Sequence, residues 1–137
     1  MKICKFFKHR NFPYFVVQKV ENNGDRWEYW SLDGEKHSLE NNEDLPNNLW
    51  IVKEIRLYRE FNFTALFQKI VVCDAKYLYF HDCSPTISYN EFKYLTASGN
   101  VEDLAICGSV IRYEENGEAV PFEEILECLP KIIAITL

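Results

Sequence analysis

The sequence predicts a single α+β domain over residues 1–137, a mostly antiparallel β-sheet with two to three short helices packed on it. Three observations point there. The chain has 137 residues, 47% hydrophobic and 15% aromatic, which is one domain's worth with enough apolar material to enclose a core. Short β-branched and aromatic runs alternate with polar residues and are separated by turn chemistry. Two later stretches carry helix start and stop signals. No internal repeat, low-complexity tract or linker stands out, so one layered domain is the economical reading.

The first strand is residues 12–20, FPYFVVQKV, followed by a turn at Asn22-Asn23-Gly24-Asp25, since Asn-Gly tolerates positive φ. The return strand is residues 26–32. Period-two alternation puts Trp27 and Tyr29 on one face and Glu28 and Trp30 on the other, so either one tryptophan is covered by a later segment, the commoner outcome, or one is exposed for a partner. Asp33-Gly34 turns the chain into residues 35–48, an acidic, Asn-rich surface loop long enough to suit a binding edge. Residues 49–59, LWIVKEIRLYR, fit either a strand or a helix by spacing, and their β-branched content favours strand. Residues 60–68 are ambiguous, with Asn62 placed to cap a short helical turn.

Residues 69–83, KIVVCDAKYLYFHDC, form the densest β-branched and aromatic run. They read as a central hairpin, strands 69–73 and 77–80 around Asp74-Ala75-Lys76, closed by residues 82–85. Ser88-Tyr89-Asn90-Glu91 is a capping-box pattern for a helix running to Ala97 and stopping at Gly99. Asn100 is placed to cap a second short helix toward Cys107. Residues 109–113 read as a strand and Glu114-Glu115-Asn116-Gly117 as a turn. Residues 121–129 are the clearest helix: proline in the first turn, Glu123 and Glu124 at the positive end of the dipole, and Phe122, Ile125, Leu126 and Leu129 on one apolar face. Pro130 ends it, and residues 132–137 read as a last strand buried in the sheet.

The net charge of −6 is unevenly spread. Residues 1–20 hold Lys2, Lys5, Lys8, Arg10 and Lys19 and no acid, whereas residues 98–128 hold eight acids against Arg112 alone. Such a body repels nucleic acid and favours a basic protein partner. The N-terminal aromatics Phe6, Phe7, Phe12, Tyr14 and Phe15 are interleaved with cations as in a single-strand binder, but they alternate as strand core does. Five scattered cysteines without a C-x-x-C pair suit a reducing cytoplasm. The first residues lack the apolar core of a secretory leader, and no run approaches the ~20 apolar residues of a membrane span. The chain is therefore expected to be soluble and cytoplasmic, with no membrane partner.

Little in the sequence marks chemistry. His81 and Cys83 share a strand face and could form a thiolate–imidazole pair, but Asp82 points the other way. Zinc would need His81 and Cys83 with Cys73, His9, His37 or Cys107, at spacings no standard site uses. Glu114, Glu115 and Glu118 around Asn116-Gly117 lack the alternation of a calcium loop. There is no Gly-rich phosphate loop, GxSxG or HExxH. The expectation is a non-catalytic chain with no cofactor and no metal.

With its acidic turns around Asp33-Gly34-Glu35, Glu43-Asp44 and Glu114 to Glu118, its many aromatics and its single small α+β domain, the chain resembles the small bacterial immunity proteins of polymorphic and contact-dependent growth-inhibition toxin systems. The resemblance implies an inhibitor that masks a cognate basic toxin, such as a nuclease, by charge complementarity. Trp27 or Trp30 would be the buried anchor. The partner-binding set would be Trp27, Trp30, Asp33, Glu35, Glu43, Asp44, Glu114, Glu115 and Glu118. Two other readings stand beside it. One is a small thiol-dependent enzyme or hydrolase using Cys83 and His81. The other is a subunit that oligomerises through residues 132–137.

Overall fold

Period-two alternation recurs in short runs along the chain, and the structure lays them side by side. It is a computed structural model describing residues 13–23, 26–41, 44–58, 66–81 and 86–137. The strands are β1 (Phe15–Asn22), β2 (Trp27–Ser31), β3 (Lys36–Leu39), β4 (Leu49–Tyr58), β5 (Ile70–Cys73), β6 (Tyr77–His81), β7 (Thr86–Ser88), β8 (Asp103–Cys107), β9 (Val110–Arg112) and β10 (Ala134–Thr136). Two helices stand among the described residues, α1 (Tyr89–Thr96) and α2 (Phe122–Glu127). The fold is a single α+β domain dominated by sheet. Eight strands form one sheet in the order β10-β8-β6-β4-β1-β2-β3, with β5 also on β4, while β7 and β9 make a separate two-stranded sheet.

The sheet is not mostly antiparallel. Only β1–β2 and β2–β3 pair antiparallel. The pairs β1–β4, β4–β5, β4–β6, β6–β8, β8–β10 and β7–β9 are all parallel. Antiparallel pairing follows tight turns: the Asp33-Gly34 turn joins β2 to β3, while Gly24 and Asp25 of the turn expected after β1 lie outside the described residues. Beyond β4, α1 and α2 interrupt the path from strand to strand, as parallel crossovers require.

Three local expectations change accordingly. The polar stretch 35–48 contains β3, which extends the first hairpin into a meander. Residues 69–80 are no hairpin: β5 and β6 follow one another along β4, against Leu49 to Ile51 and Glu54 to Tyr58 respectively. Asp74-Ala75-Lys76 lacks the glycine that most readily supplies positive φ in a tight hairpin, and the chain runs on instead of turning back. The Asp74 amide donates to the Ile51 carbonyl at 2.8 Å and the Lys76 amide to the Lys53 carbonyl at 2.8 Å. Finally, the residues after Asn100 form β8 and not a helix, because Leu104 and Ile106 alternate with Asp103, Ala105 and Cys107 and bury only one face.

The parallel ladder also holds a periodicity that reading the chain alone missed. Glu54, Tyr77, Asp103 and Ala134 are successive register partners, at intervals of 23, 26 and 31 residues. Apolar residues recur at the same offsets from these partners, in the strands or just beside them: Val52, Ile55 and Leu57; Ala75, Leu78 and Phe80; Val101, Leu104 and Ile106; Ile132, Ile135 and Leu137. Stacked strand-and-return units of this length are the building plan of a short solenoid. The core lies on the side where α1, α2 and the small sheet return. Phe80 and Phe92 are the largest side chains wholly buried there.

Local signals hold α1 in place. The Glu91 amide donates to Ser88 Oγ at 3.0 Å, the cap expected from the sequence. Gly99 follows the helix at φ +73°, and a Cβ there would come within 3.2 Å of Pro130 Cγ. Ser88→Ala is expected to cost about 1 kcal/mol, read as a lower urea midpoint at unchanged slope. An unchanged midpoint would mean that the cap contributes nothing.

Helix α2 and the C-terminus depart from expectation. Ile125 and Leu129 are buried, but Phe122 and Leu126 are exposed. Likewise β10 ends the sheet instead of lying inside it, with Ile133 79% and Leu137 60% exposed on either side.

Candidate functional site

The side of the main sheet opposite the core carries residues of alternate phase. In one register row lie Trp30, Lys19, Glu54, Tyr77 and Asp103, and in the next Glu28, Glu21, Arg56, Tyr79 and Ala105. Tyr58, His81 and Cys107 form a third, shorter row. Two-residue alternation puts them all on one face.

These side chains bind each other across the strands. Lys19 Nζ lies 3.2 Å from Glu54 Oε2, 3.3 Å from Glu21 and 4.7 Å from the Trp30 ring centre. Arg56 Nε donates to Glu54 Oε2 at 3.0 Å, while the guanidinium stacks 4.6 Å over the Tyr79 ring. Tyr79 Oη donates to Asp103 Oδ2 at 2.9 Å. At the β2–β3 side, Lys36 Nζ reaches Glu28 at 2.7 Å. Tyr58 stacks on His81 at 5.2 Å, and Tyr77 on Tyr79 at 6.4 Å. A continuous chain of contacts thus runs from Trp30 through Lys19, Glu54, Arg56 and Tyr79 to Asp103.

The electrostatics follow from this packing. Partial burial opposes the charge on Arg56, but the Tyr58 hydroxyl and the Glu54 carboxylate outweigh it and hold its pKa above the ordinary value. Burial, then the hydrogen bond to Asp103, pushes the Tyr79 hydroxyl up to about 12. Glu54 is nearly buried yet meets two cations, so it stays satisfied. No buried side-chain polar atom lacks a partner among the described residues. The face is therefore preorganised: a partner would meet aromatic rings and charges already held in place.

The expected partner-binding residues scatter over this frame. Trp27 is buried beneath the sheet at 5% exposure, so it cannot be a surface anchor, whereas Trp30 lies on the open face under Lys19 and Lys36. Asp33 and Glu35 are exposed at the β2–β3 turn, where the Glu35 amide bonds Asp33 and holds its carboxyl below the ordinary value. Glu114, Glu115 and Glu118 are exposed in the turn after β9, which belongs to the separate two-stranded sheet. Glu114 is also committed internally, since the Asn90 amide at the start of α1 donates to it at 2.7 Å and lowers its pKa. Asp44 is exposed, and Glu43 lies outside the described residues.

The thiol alternative is only partly visible, because Cys83 lies outside the described residues. His81 has Cys107 as its register partner. Cys73 is buried on the core side, where burial pushes its thiol up to about 12, the reverse of an activated nucleophile. No group of three or more metal-ligating side chains is assembled among the described residues, and no helix there is long and apolar enough to cross a membrane.

The face residues that the sequence did not single out are Lys19, Glu54, Arg56, Tyr58, Tyr77, Tyr79 and Asp103, whereas His81 was singled out there as the partner of Cys83. Their signal in the sequence is the charged and aromatic phase of the alternating runs, opposite the apolar phase. Comparison with protein-family models, with curated proteins and with solved structures finds no match for this chain.

Proposed function

We propose that the chain is a non-catalytic protein-binding module, a short leucine-rich-repeat-like array that docks its partner on the open face of the parallel sheet. The observation that carries this reading is the cluster of Trp30, Arg56, Tyr58, Tyr77 and Tyr79, spread over three adjacent register rows of one prepaired surface. Tryptophan, tyrosine and arginine are the residues that dominate binding energy at protein interfaces. Stacked strand units use such a face for recognition, because the returns cover the other side. The face is a mixture of both charge signs, which suits a protein surface better than a phosphate backbone.

The toxin-neutralising role of an immunity protein is the narrower form of this proposal. It draws on the net charge of −6 and on the acidic stretch after β9 more than on the face itself. In that form the partner is basic and its capture weakens with salt.

The test is a comparison of baits. The wild type, an Arg56→Glu/Tyr58→Ala variant and an Asp33→Lys/Glu35→Lys variant are used to capture proteins from a lysate of the source cells, each after its circular dichroism shows a folded chain. A stoichiometric partner retained by the wild type and the turn variant, and lost at least tenfold with the face variant, is the expected result. Equal retention by all three would remove the face from the reading.

A further inference from the structure

Where β1 meets β2 and β4, the strand pairing slips. From Val17 to Lys19, β1 advances two residues while β2 advances one and β4 three, which leaves Gln18, Val52 and Lys53 out of register. Such bulges disrupt the ladder and re-aim side chains, and they are frequent beside active sites. Here Gln18, Val52 and Lys53, with Leu32, Lys76 and Tyr77, line a pocket of about 370 Å³. That volume falls within the range of roughly 300–1,000 Å³ for small-molecule sites. Tyr77 belongs to the open face, so the pocket adjoins it at the end where β4 and β6 begin their pairing.

The walls are of two kinds. Leu32 is buried, Val52 and Tyr77 are half-buried, and together they offer apolar surface and one ring. The polar wall holds Gln18, whose amide donates to the Leu32 carbonyl at 2.8 Å, and two exposed lysines. Lys53 and Lys76 are neighbours on paired strands. They stand one residue before the register pair Glu54–Tyr77, and the Lys76 amide donates to the Lys53 carbonyl at 2.8 Å. Like charges side by side on paired strands are destabilising. Little within the chain relieves them. Lys76 reaches Glu102 only at 3.9 Å, and Lys53 forms no ion pair among the described residues. Glu54, next along β4, is held by Lys19 and Arg56. In a chain of net charge −6, two adjacent and weakly paired ammonium groups break the local rule of charge pairing, and they do so at a pocket. Breaches of that kind are expected where a site is built.

We propose that this pocket binds a small organic anion, an apolar or aromatic body carrying a carboxylate or a phosphate. The body lies against Leu32, Val52 and the Tyr77 ring, and the Lys53 and Lys76 ammonium groups meet the anionic oxygens. Lysine acts as a compact point charge without the planar demand of an arginine fork, so both head groups fit. The ligand relieves the repulsion between the two cations, which the chain leaves standing. This site goes beyond the docking of a protein on the open face and does not depend on it.

Three ring compounds test this by amide NMR shifts on the isotope-labelled whole chain: benzoate, phenyl phosphate and the neutral benzamide. Saturable shifts at Gln18, Leu32, Lys53 and Lys76 are expected with benzoate or phenyl phosphate, the tighter of the two naming the head group. Benzamide is expected to bind at least fivefold more weakly, and the anion to lose at least fivefold in affinity for Lys53→Gln/Lys76→Gln. Lys131→Gln, which removes an exposed lysine of the C-terminal stretch, is expected to bind as the wild type does. The proposal is overturned if neither anion gives saturable shifts at those amides, or if benzamide matches them, which would leave an apolar pocket alone. It is also overturned if the double variant binds as tightly, or if Lys131→Gln loses as much. The benzamide comparison needs no variant, so it decides even if the double variant fails to fold. No protein partner is used, so the outcome is separate from that of the bait comparison.

Discussion

Phe80→Ala is expected to destabilise the fold by about 3–5 kcal/mol, the usual loss for truncating a wholly buried phenylalanine. Phe80 is 0% exposed and lies in register between Leu57 of β4 and Ile106 of β8. The ladder leaves little room for collapse, since the neighbours on both sides are held by strand pairing, so the void persists. Against a total stability of ~5–15 kcal/mol for a domain, this removes a large part of the margin. The adjacent Tyr79 points to the opposite face, where truncation removes a ring contact and a hydrogen bond but opens no cavity. Urea unfolding of the two variants therefore tests the phase of β6 directly. Equal losses, or a Phe80→Ala loss below about 1 kcal/mol, would mean that the two faces have been exchanged.

The fold was legible in part. The first hairpin, the strand reading of β4, the capped helix α1 and the position of α2 all followed from local chemistry, because turns and caps act over a few residues. Strand direction did not follow. Parallel sheets are ordinarily covered on both faces and read as continuous apolar runs, whereas one-sided alternation is the mark of antiparallel sheets. Here the runs from Lys53 to Tyr58, Tyr77 to His81 and Asp103 to Cys107 alternate, yet pair parallel. One-sided alternation in a parallel sheet arises when every return passes on the same side, which is a property of the whole stack and not of any one strand. The repeat was hidden for a related reason. Its period drifts from 23 to 31 residues and only the apolar phase recurs, so no stretch of sequence copies another.

The site was less legible than the fold. Acidic turns are conspicuous in a sequence, and Asp33, Glu35, Glu114, Glu115 and Glu118 are indeed exposed. Asp33 and Glu35 sit at a turn of the main sheet and the glutamates beside a strand of the small one, a division that depends on strand pairing, which the sequence does not state. The face residues are unremarkable one by one: Lys19 and Arg56 look like ordinary solvated charges, and Tyr79 like strand core. Only register brings the Lys19 ammonium, the Glu54 carboxylate, the Arg56 guanidinium and the Tyr79 ring into one line. A reading that had compared the outward phase of the three alternating runs would have found aromatic or charged residues in most of those positions.

Stability is expected to hold steady up to about pH 9 with respect to the thiol of Cys73 and to fall as the solution becomes more alkaline. The thiol sits at 6% exposure on β5, and burial, the dominant cause, raises it from an ordinary value of 9.0 to about 12. The sign is fixed by which state holds the proton longer. Below pH 9 the group is neutral in both states and its burial carries no penalty. Between 9 and 12 the unfolded chain ionises first, so unfolding releases a proton and becomes easier with each step in pH. One unit of displacement corresponds to about 1.4 kcal/mol, so the loss by pH 12 is on the order of 4 kcal/mol for this group alone. Tyr79 and Tyr89, each raised to about 12 with burial the leading cause, add to the fall above pH 10. Cys73→Ala isolates the thiol. It lowers stability by a constant amount through its small cavity but flattens the pH dependence between 9 and 10, since the tyrosines contribute alike to both proteins and the difference between them belongs to the thiol. Urea unfolding at pH 8, 9.5 and 10 under reducing conditions, wild type against variant, reads this difference, and thiolate absorbance at 240 nm reads the ionisation itself. Parallel pH profiles for the two proteins, or a thiolate at Cys73 forming near pH 9 in the folded chain, would place that sulfur in contact with water and return it to consideration as a reactive group.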